Sequence, residues 1–320
     1  MSGDSIAWIT GARGFIGRHV ARRLAAGGST VHGVGHGGWP AAEAGPWGIA
    51  HWLNGDVSAS NLHELQVAGG RPSLVVHLAG GASVGAAIAH PREDFARTVV
   101  STVELLEWMR QESPETRLVV VSSAAVYGAG HDGRIAESAA LRPYSPYGHH
   151  KLMMESLCRS YAASYGLRCV VARLFSVYGP GLKKQLLWDA CTRLRTAPAE
   201  LELGGSGDEL RDWVHVNDVA EVLAQLGSVA SSEVPTLNVG TGNGTSVRSI
   251  GQALIDAWAA PGQARATHLR FNGQSRPGDP RHLVADPSHL HAAQLSCGSP
   301  IAIGIAEYVA WFQAQPAGQG

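Results

Sequence analysis

This chain of 320 residues predicts a doubly wound α/β fold, with a parallel sheet in the larger N-terminal part and a smaller C-terminal lobe. Three observations carry that expectation. Ile6-Ala7-Trp8-Ile9-Thr10 reads as a buried strand running straight into the glycine turn Gly11-Ala12-Arg13-Gly14-Phe15-Ile16-Gly17, after which Arg18 to Leu24 has helical character. Short apolar runs and helical segments then alternate, as a parallel sheet covered on both faces requires. Beyond Tyr178-Gly179-Pro180-Gly181 the alternation weakens, which marks the second lobe.

Strand, glycine turn, helix is the context in which glycines let the backbone approach a pyrophosphate whose charge rests on the helix N-terminus. Gly11, Arg13, Gly14, Phe15, Ile16 and Gly17 are therefore expected to hold a dinucleotide. The second strand, Thr30 to Val34, ends on Gly35-His36. An NAD-specific protein commonly places an acid there for the ribose hydroxyls. Here the carboxylate is missing, and Arg13 and His36 stand ready for a 2′-phosphate, which favours NADP(H) with NAD(H) as the alternative. His51-Trp52-Leu53 is a short third strand leading to Asp56-Val57, a contact for the adenine. Leu74-Val75-Val76-His77-Leu78 is a fourth, closed by Ala79-Gly80-Gly81-Ala82, where small residues admit a cofactor. Leu78, Ala79 and Gly80 join the expected cofactor set.

Phe95 to Met109 reads as one long helix with Val99, Val103, Leu106 and Met109 as its core stripe. Leu118 to Val121 is the fifth strand, and Ser122-Ser123 sits at its carboxyl end, where ligands bind in open parallel sheets, with Ser123 the better-placed hydroxyl. Cys169 to Arg173 is a further strand. In the second lobe Gly204-Gly205-Ser206-Gly207 marks a loop, Arg211 to Val216 a short strand and Asn217-Asp218 the capped start of a helix. Thr236 to Val239 is read as returning to the large sheet. The expected division is thus 1–180 for the dinucleotide, with 236–242 rejoining it, and 181–320 mainly for the substrate.

The chemistry centres on Tyr147-Gly148-His149-His150-Lys151, just after the helix-start signal Pro143-Tyr144-Ser145-Pro146. Four residues make one helical turn, so Tyr147 and Lys151 share a face. An ammonium beside a phenol favours the phenolate and is expected to lower a pKa that otherwise sits near 10, giving an acid/base couple for a sugar alcohol or ketone.

Composition narrows the rest. A formal charge of −1, from 25 basic and 26 acidic residues with no basic block, excludes a nucleic-acid footprint and a membrane-surface helix. No apolar run reaches the roughly 18 residues of a membrane span, and Met1-Ser2-Gly3-Asp4 leads into a strand rather than a signal peptide, so a cytoplasmic protein is expected. Cys158, Cys169, Cys191 and Cys297 lack metal or redox spacing and are read as buried or inert. Fifteen histidines, His289 and His291 among them, form no recognised ligand pattern, so no metal is expected.

Taken together, Gly11-x-x-Gly14-Phe15-Ile16-Gly17, Ser123, Tyr147-x-x-x-Lys151 and Arg211-Asp212-Trp213 resemble an extended short-chain dehydrogenase/reductase of the nucleotide-sugar epimerase, dehydratase and 4-ketoreductase group, over nearly the whole chain. The resemblance implies a Rossmann-type sheet and a homodimer built from paired helices. It also implies that Ser123 and Tyr147 flank the reacting sugar carbon while Lys151 holds the nicotinamide ribose. Arg211, and Arg276 in Arg276-Pro277-Gly278-Asp279, match the family's arginines that clamp the diphosphate of a nucleotide sugar, a task suited to guanidinium forks. Three departures stand out. Ala124-Ala125 replaces the acidic residues that dehydratases of this family carry after the serine or threonine, which argues against dehydration; Thr98 and Ser176 stand where asparagines are common, the latter beside the sugar. Lys183-Lys184-Gln185 reads first as a solvated loop, with contact to a phosphate or the sugar as the lesser reading.

Two enzyme readings share these residues. In a 4-ketoreductase, NADPH passes hydride to a C4 ketone while Tyr147 delivers the proton. In a 4-epimerase, tightly held NAD oxidises C4 and then reduces it from the other face. The Gly35-His36 ending with Arg13 leans to the reductase. A non-catalytic dinucleotide sensor on the same fold is the reading from another class.

Overall fold

The computed structural model describes residues 5–196, 199–258, 267–274 and 280–316. Strands β1 (Ser5–Thr10), β2 (Ser29–Gly35), β3 (Ile49–Asn54), β4 (Leu74–His77) and β5 (Arg117–Ser123) follow one another, with the short β6 (Arg134–Ile135) before β7 (Arg168–Leu174) and β8 (Ser176–Tyr178). Next come β9 (Glu200–Leu203), β10 (Leu210–His215), β11 (Thr236–Val239), β12 (Gly244–Ser246), β13 (His268–Phe271) and β14 (His282–Ala285).

Seven of these strands form one sheet in the order β11-β7-β5-β4-β1-β2-β3, every pairing parallel. The central strands β4, β5 and β7 are near-continuous Val, Leu and Cys because helices cover both faces. The order reverses at β1, so a crevice opens between the carboxyl ends of β1 and β4, the place where such sheets bind ligands. Two cores fill the faces, one around Ile9, Val76, Val119 and Val170, the other around Trp8, Val75, Leu118 and Met154. A third, around Tyr178, Leu187, Ile250 and Phe312, holds the C-terminal lobe together. There β12-β10-β14-β6 form a second sheet, with β8 paired to β10, and β13 pairs with β9.

Two local readings change. The expected helix from Phe95 to Met109 is part of a longer helical run, Pro91–Phe95, a π-helical turn at Ala96–Val100, then Ser101–Glu112. The extra residue per turn is invisible to a 3.6-residue pattern. The helix after β10 spans Val216–Gln225 and is capped by His215, whose Nδ1 accepts from Asn217 N at 3.3 Å; Asn217-Asp218 lies inside its first turn. Asp218 instead turns its carboxylate to Ser299. That helix also packs against Phe15–Ala26 on the sheet, where Val219, Val222 and Leu223 share a core with Val20 and Leu24, and Arg23 pairs with Glu221.

Candidate active site

The glycine turn comes first. Gly11, with φ of +73°, approaches the exit of β4 so closely that a Cβ there would lie 3.0 Å from Ala79 N. A Cβ on Gly17 would lie 2.4 Å from Gly11 O, so the helix Phe15–Ala26 can pack on the turn only with glycine there. Gly14 caps that helix with no side-chain bond and no acid in the first turn, leaving its N–H groups and dipole to face an anion. On the other side Ala79 N donates to Thr10 Oγ1 at 3.0 Å, which fixes the backbone of Leu78, Ala79 and Gly80 against the turn. These residues fit a dinucleotide pyrophosphate.

At the carboxyl end of β2 the indole of Trp52 occupies the space an acid at position 35 would need: a Cβ on Gly35 would meet its ring at 3.1 Å. Trp52 Nε1 donates to Gly37 O at 3.0 Å. The Arg13 guanidinium lies over the same loop, 2.5 Å from where a Cβ on Gly37 would stand, and Arg18 Nη2 donates to Arg13 O at 2.8 Å. Burial and the charge of Arg13 hold the Arg18 pKa below its usual value. His36 and Asp56, both exposed, pair with each other at 2.9 Å, so each is engaged by the other. Asp56 and the buried Val57 line the cleft here.

The residues expected to do the chemistry, Ser123, Tyr147 and Lys151, are held by β5 and the helix Pro146–Tyr165. Ser145 starts that helix by accepting from Gly148 N at 3.2 Å, with Pro146 at its first position, so Tyr147 in the first turn and Lys151 one turn later both line the cleft. Ser123 hydrogen-bonds Tyr147 and accepts from Ala125 N at 3.2 Å. Ser122, its neighbour, turns away and donates to Glu155 at 2.6 Å. Lys151, 4% exposed, donates from Nζ to Val121 O at 2.9 Å.

The electrostatics correct one expectation. Tyr147 does not have a lowered pKa: burial pushes its phenol up, and the Ser123 hydrogen bond opposes this only in part. The effect of burial falls on the lysine too, lowering it to about 8. A one-turn spacing gives a shared face but not the loss of solvent that comes with it.

The cleft continues into the C-terminal lobe with a volume of about 1390 Å³, lined by Ser176, Lys184, Arg211, Trp213 and Arg281. Ligand pockets of drug size run to roughly 1,000 Å³, so there is room for a dinucleotide and a second sizeable ligand. Arg211 lines the cleft and its Nη1 donates to Leu210 O at 2.9 Å, while its neighbour Asp212 is fully buried and accepts from Thr241 N, Gly242 N and Ala285 N. Lys184 Nζ donates to Ala82 O at 2.7 Å, tying the far lobe to the loop after β4. Arg276 lies outside the described residues. Among the described residues no group of three or more His, Cys, Asp or Glu is arranged to hold a metal, and no helix is long and apolar enough to cross a membrane. The four cysteines are free and buried.

The sequence did not single out Asp94 and His150, which pair at 2.5 Å beside Lys151, nor Arg281. No spacing marks Asp94, and His150 is visible only as a residue between the tyrosine and the lysine.

A family model described as NAD dependent epimerase/dehydratase family matches residues 7–240. The chain belongs to that family. Relatives within the epimerase/dehydratase family include a UDP-glucose 4-epimerase of Azospirillum brasilense, 30% identical over 300 residues, 88% of this chain and 84% of that protein. A dTDP-glucose 4,6-dehydratase of an Actinoplanes species is 30% identical over 322 residues, 96% of this chain and 97% of that protein. Among solved structures, MoeE5 in complex with UDP-glucose and NAD superposes with a TM-score of 0.81 at 31% identity, covering 97% of this chain and 99% of MoeE5. The Rossmann-type sheet and the membership in a family of nucleotide-sugar epimerases and dehydratases are thereby established.

Proposed function

We propose that this protein is a nucleotide-sugar 4-epimerase that uses a bound nicotinamide dinucleotide, with a UDP-hexose as the substrate class. The observation that carries the reading is the Ser123–Tyr147–Lys151 set at the carboxyl end of β5, followed by Ala124-Ala125 rather than by a second acid and base. Removal of water from a sugar needs that second pair; inversion at C4 does not. The relatives favour the epimerase over the 4-ketoreductase.

Bound nicotinamide supplies the taking and returning of hydride at C4. The chain supplies the rest. Tyr147 takes the proton of the C4 hydroxyl and gives it back, Ser123 hydrogen-bonds the same oxygen, and Lys151 would hold the ribose of the nicotinamide. Arg211, with Arg276 as its expected partner, holds the diphosphate, so that the sugar can turn over while the nucleotide stays fixed. Lys184 and Ser176 stand at the sugar end. Relatives that bind NAD support NAD as the cofactor, while Arg13 over the Gly37 loop and the absence of an acid at position 35 keep NADP as the second reading. Phe95, Val100 and Met153, each 40% exposed or more on two adjacent helices, support a homodimer.

The test is incubation of the purified protein with UDP-galactose and with UDP-glucose, without added reductant, followed by proton NMR of the anomeric signals. Interconversion supports the epimerase. Silence there, with consumption of NADPH on a 4-keto nucleotide sugar, would establish the reductase instead.

A further inference from the structure

Trp52 pairs with Gly33 across β2 and β3, and its indole lies along the face of β2 that Gly33 and Gly35 leave bare. Side chains two apart on a strand share a face, so a wide ring can cover both positions only where neither carries a side chain. A Cβ on Gly33 would lie 3.1 Å from Cε3 of the indole, and one on Gly35 would lie 3.1 Å from Cη2 and 3.3 Å from Gly11 Cα. The ring is also fixed at its other edges. Nε1 donates to Gly37 O at 3.0 Å, and Trp39 packs against it edge to face with the ring centres 5.5 Å apart. Gly37 N donates in turn to Asn54 Oδ1 at 2.8 Å, which ties the accepting loop to β3.

Position 35 is where an acid would reach the ribose hydroxyls of a dinucleotide and turn a 2′-phosphate away. A carboxylate there would have to share the room of the indole. Asp56, the acid at the next strand exit, is paired with His36 at 2.9 Å. Over the Gly37 loop stands the exposed guanidinium of Arg13, whose main chain is held by Arg18. A site rejects a charged ligand chiefly through a repulsive group placed against it, and here that group has no room.

We propose that Trp52 is a specificity-determining residue of the dinucleotide site: by filling the space of a ribose-binding acid it leaves the 2′ position ungated, so that the pocket takes adenosine with a 2′-phosphate as readily as without one. This rests on the reading of the cleft as a nicotinamide dinucleotide site, and it admits both cofactors named for that site. Trp52 acts by exclusion and Arg13 by attraction, so the two effects are separable. Loss of the guanidinium weakens the hold on the 2′-phosphate, whereas loss of the indole makes room for a group that repels it.

The experiment is displacement of bound NADH and NADPH, followed by their fluorescence, from the full-length protein by ADP and by 2′,5′-ADP. These fragments carry the adenosine ends of the two dinucleotides and need no turnover. The parent is expected to bind them within about tenfold of each other, or 2′,5′-ADP the more tightly. Trp52→Val leaves position 35 bare and is expected to keep that ratio. Gly35→Asp/Trp52→Val admits the acid and is expected to weaken 2′,5′-ADP at least about tenfold relative to ADP. A parent that binds 2′,5′-ADP more than about tenfold less tightly than ADP overturns the proposal, and that measurement needs no variant to fold. A double variant with the parent's ratio overturns it too, as does a Gly35→Asp single variant that excludes 2′,5′-ADP as fully as the double variant, because the indole is then no obstacle. If neither NADH nor NADPH binds, the dinucleotide reading falls and the proposal with it. If both fragments displace the dinucleotides while UDP-hexoses are not interconverted, the epimerase reading falls and the proposal stands.

Discussion

Lys151 Nζ lies 5.9 Å from the centre of the Tyr147 ring, while its hydrogen bond at 2.9 Å goes to Val121 O. The lysine is thus anchored to the strand that carries Ser123 and acts on the tyrosine from a fixed distance rather than by direct contact. Replacing Tyr147 by Phe keeps the ring packing and removes the proton. Turnover is expected to drop by about 10²-fold or more with dinucleotide affinity retained. Fluorescence titration with NAD alongside NMR rates checks both halves.

Arg211→Ala removes a guanidinium from the part of the cleft proposed to hold the diphosphate. Loss of a charge-assisted hydrogen bond costs about 1.5 to 3 kcal/mol, so the dissociation constant for UDP should rise roughly 10- to 150-fold. Calorimetry with UDP alone reads this without catalysis, and an unchanged constant would move the diphosphate away from β10.

Arg13→Ala distinguishes the two cofactor readings. If the guanidinium over the Gly37 loop meets a 2′-phosphate, NADPH affinity falls about tenfold, or about 1.4 kcal/mol, and NADH affinity stays put. Equal effects on the two would mean that Arg13 meets only what they share.

Glu155 and Arg173 form a buried ion pair at 2.8 Å, 0% and 2% exposed at their side chains, that joins the helix carrying Tyr147 and Lys151 to β7. Arg173→Leu leaves a buried carboxylate with Arg159, at 3.3 Å, as its remaining cation, and is expected to cost about 3 to 5 kcal/mol in urea unfolding. A Glu155→Leu/Arg173→Leu double variant should recover much of that loss.

His77 bonds Thr10 and Thr102 and, through burial, has its pKa lowered from 6.5 to about 3; His19 is lowered in the same way to about 4. A histidine depressed in the fold takes up its proton on unfolding. Its contribution is therefore complete above pH 6.5 and is lost as the pH falls towards 3. Melting temperatures of His77→Gln should fall less steeply than those of the parent across that window.

How much of this was legible depended on whether a residue's role is local. Gly11, Gly14 and Gly17 announce themselves because strand, turn and helix are contiguous, and Ser145 with Pro146 marks the helix start for the same reason. Ser123 was legible from its place at the end of an apolar run. Asp94 was not, because its neighbours His150 and Gly81 come from elsewhere in the chain and a lone acid in a helical segment has no pattern. The π-helical turn hid behind an unbroken apolar stripe, and the raised Tyr147 pKa depends on solvent excluded by segments far away in sequence.

The helix Val216–Gln225 lies beyond the position where the regular alternation ends, yet it covers Phe15–Ala26, and β11 borders β7. A chain stopped at residue 180 would therefore expose Val20, Ala21 and Leu24 and leave an open edge on β7. The dinucleotide half is not a detachable cassette. β10, which carries Arg211, runs directly into that helix, and the helix packs on Phe15–Ala26 just after the glycine turn. Grafting a new substrate lobe onto this scaffold would have to carry residues 210 to 240 as a unit, or the nucleotide turn would lose its support.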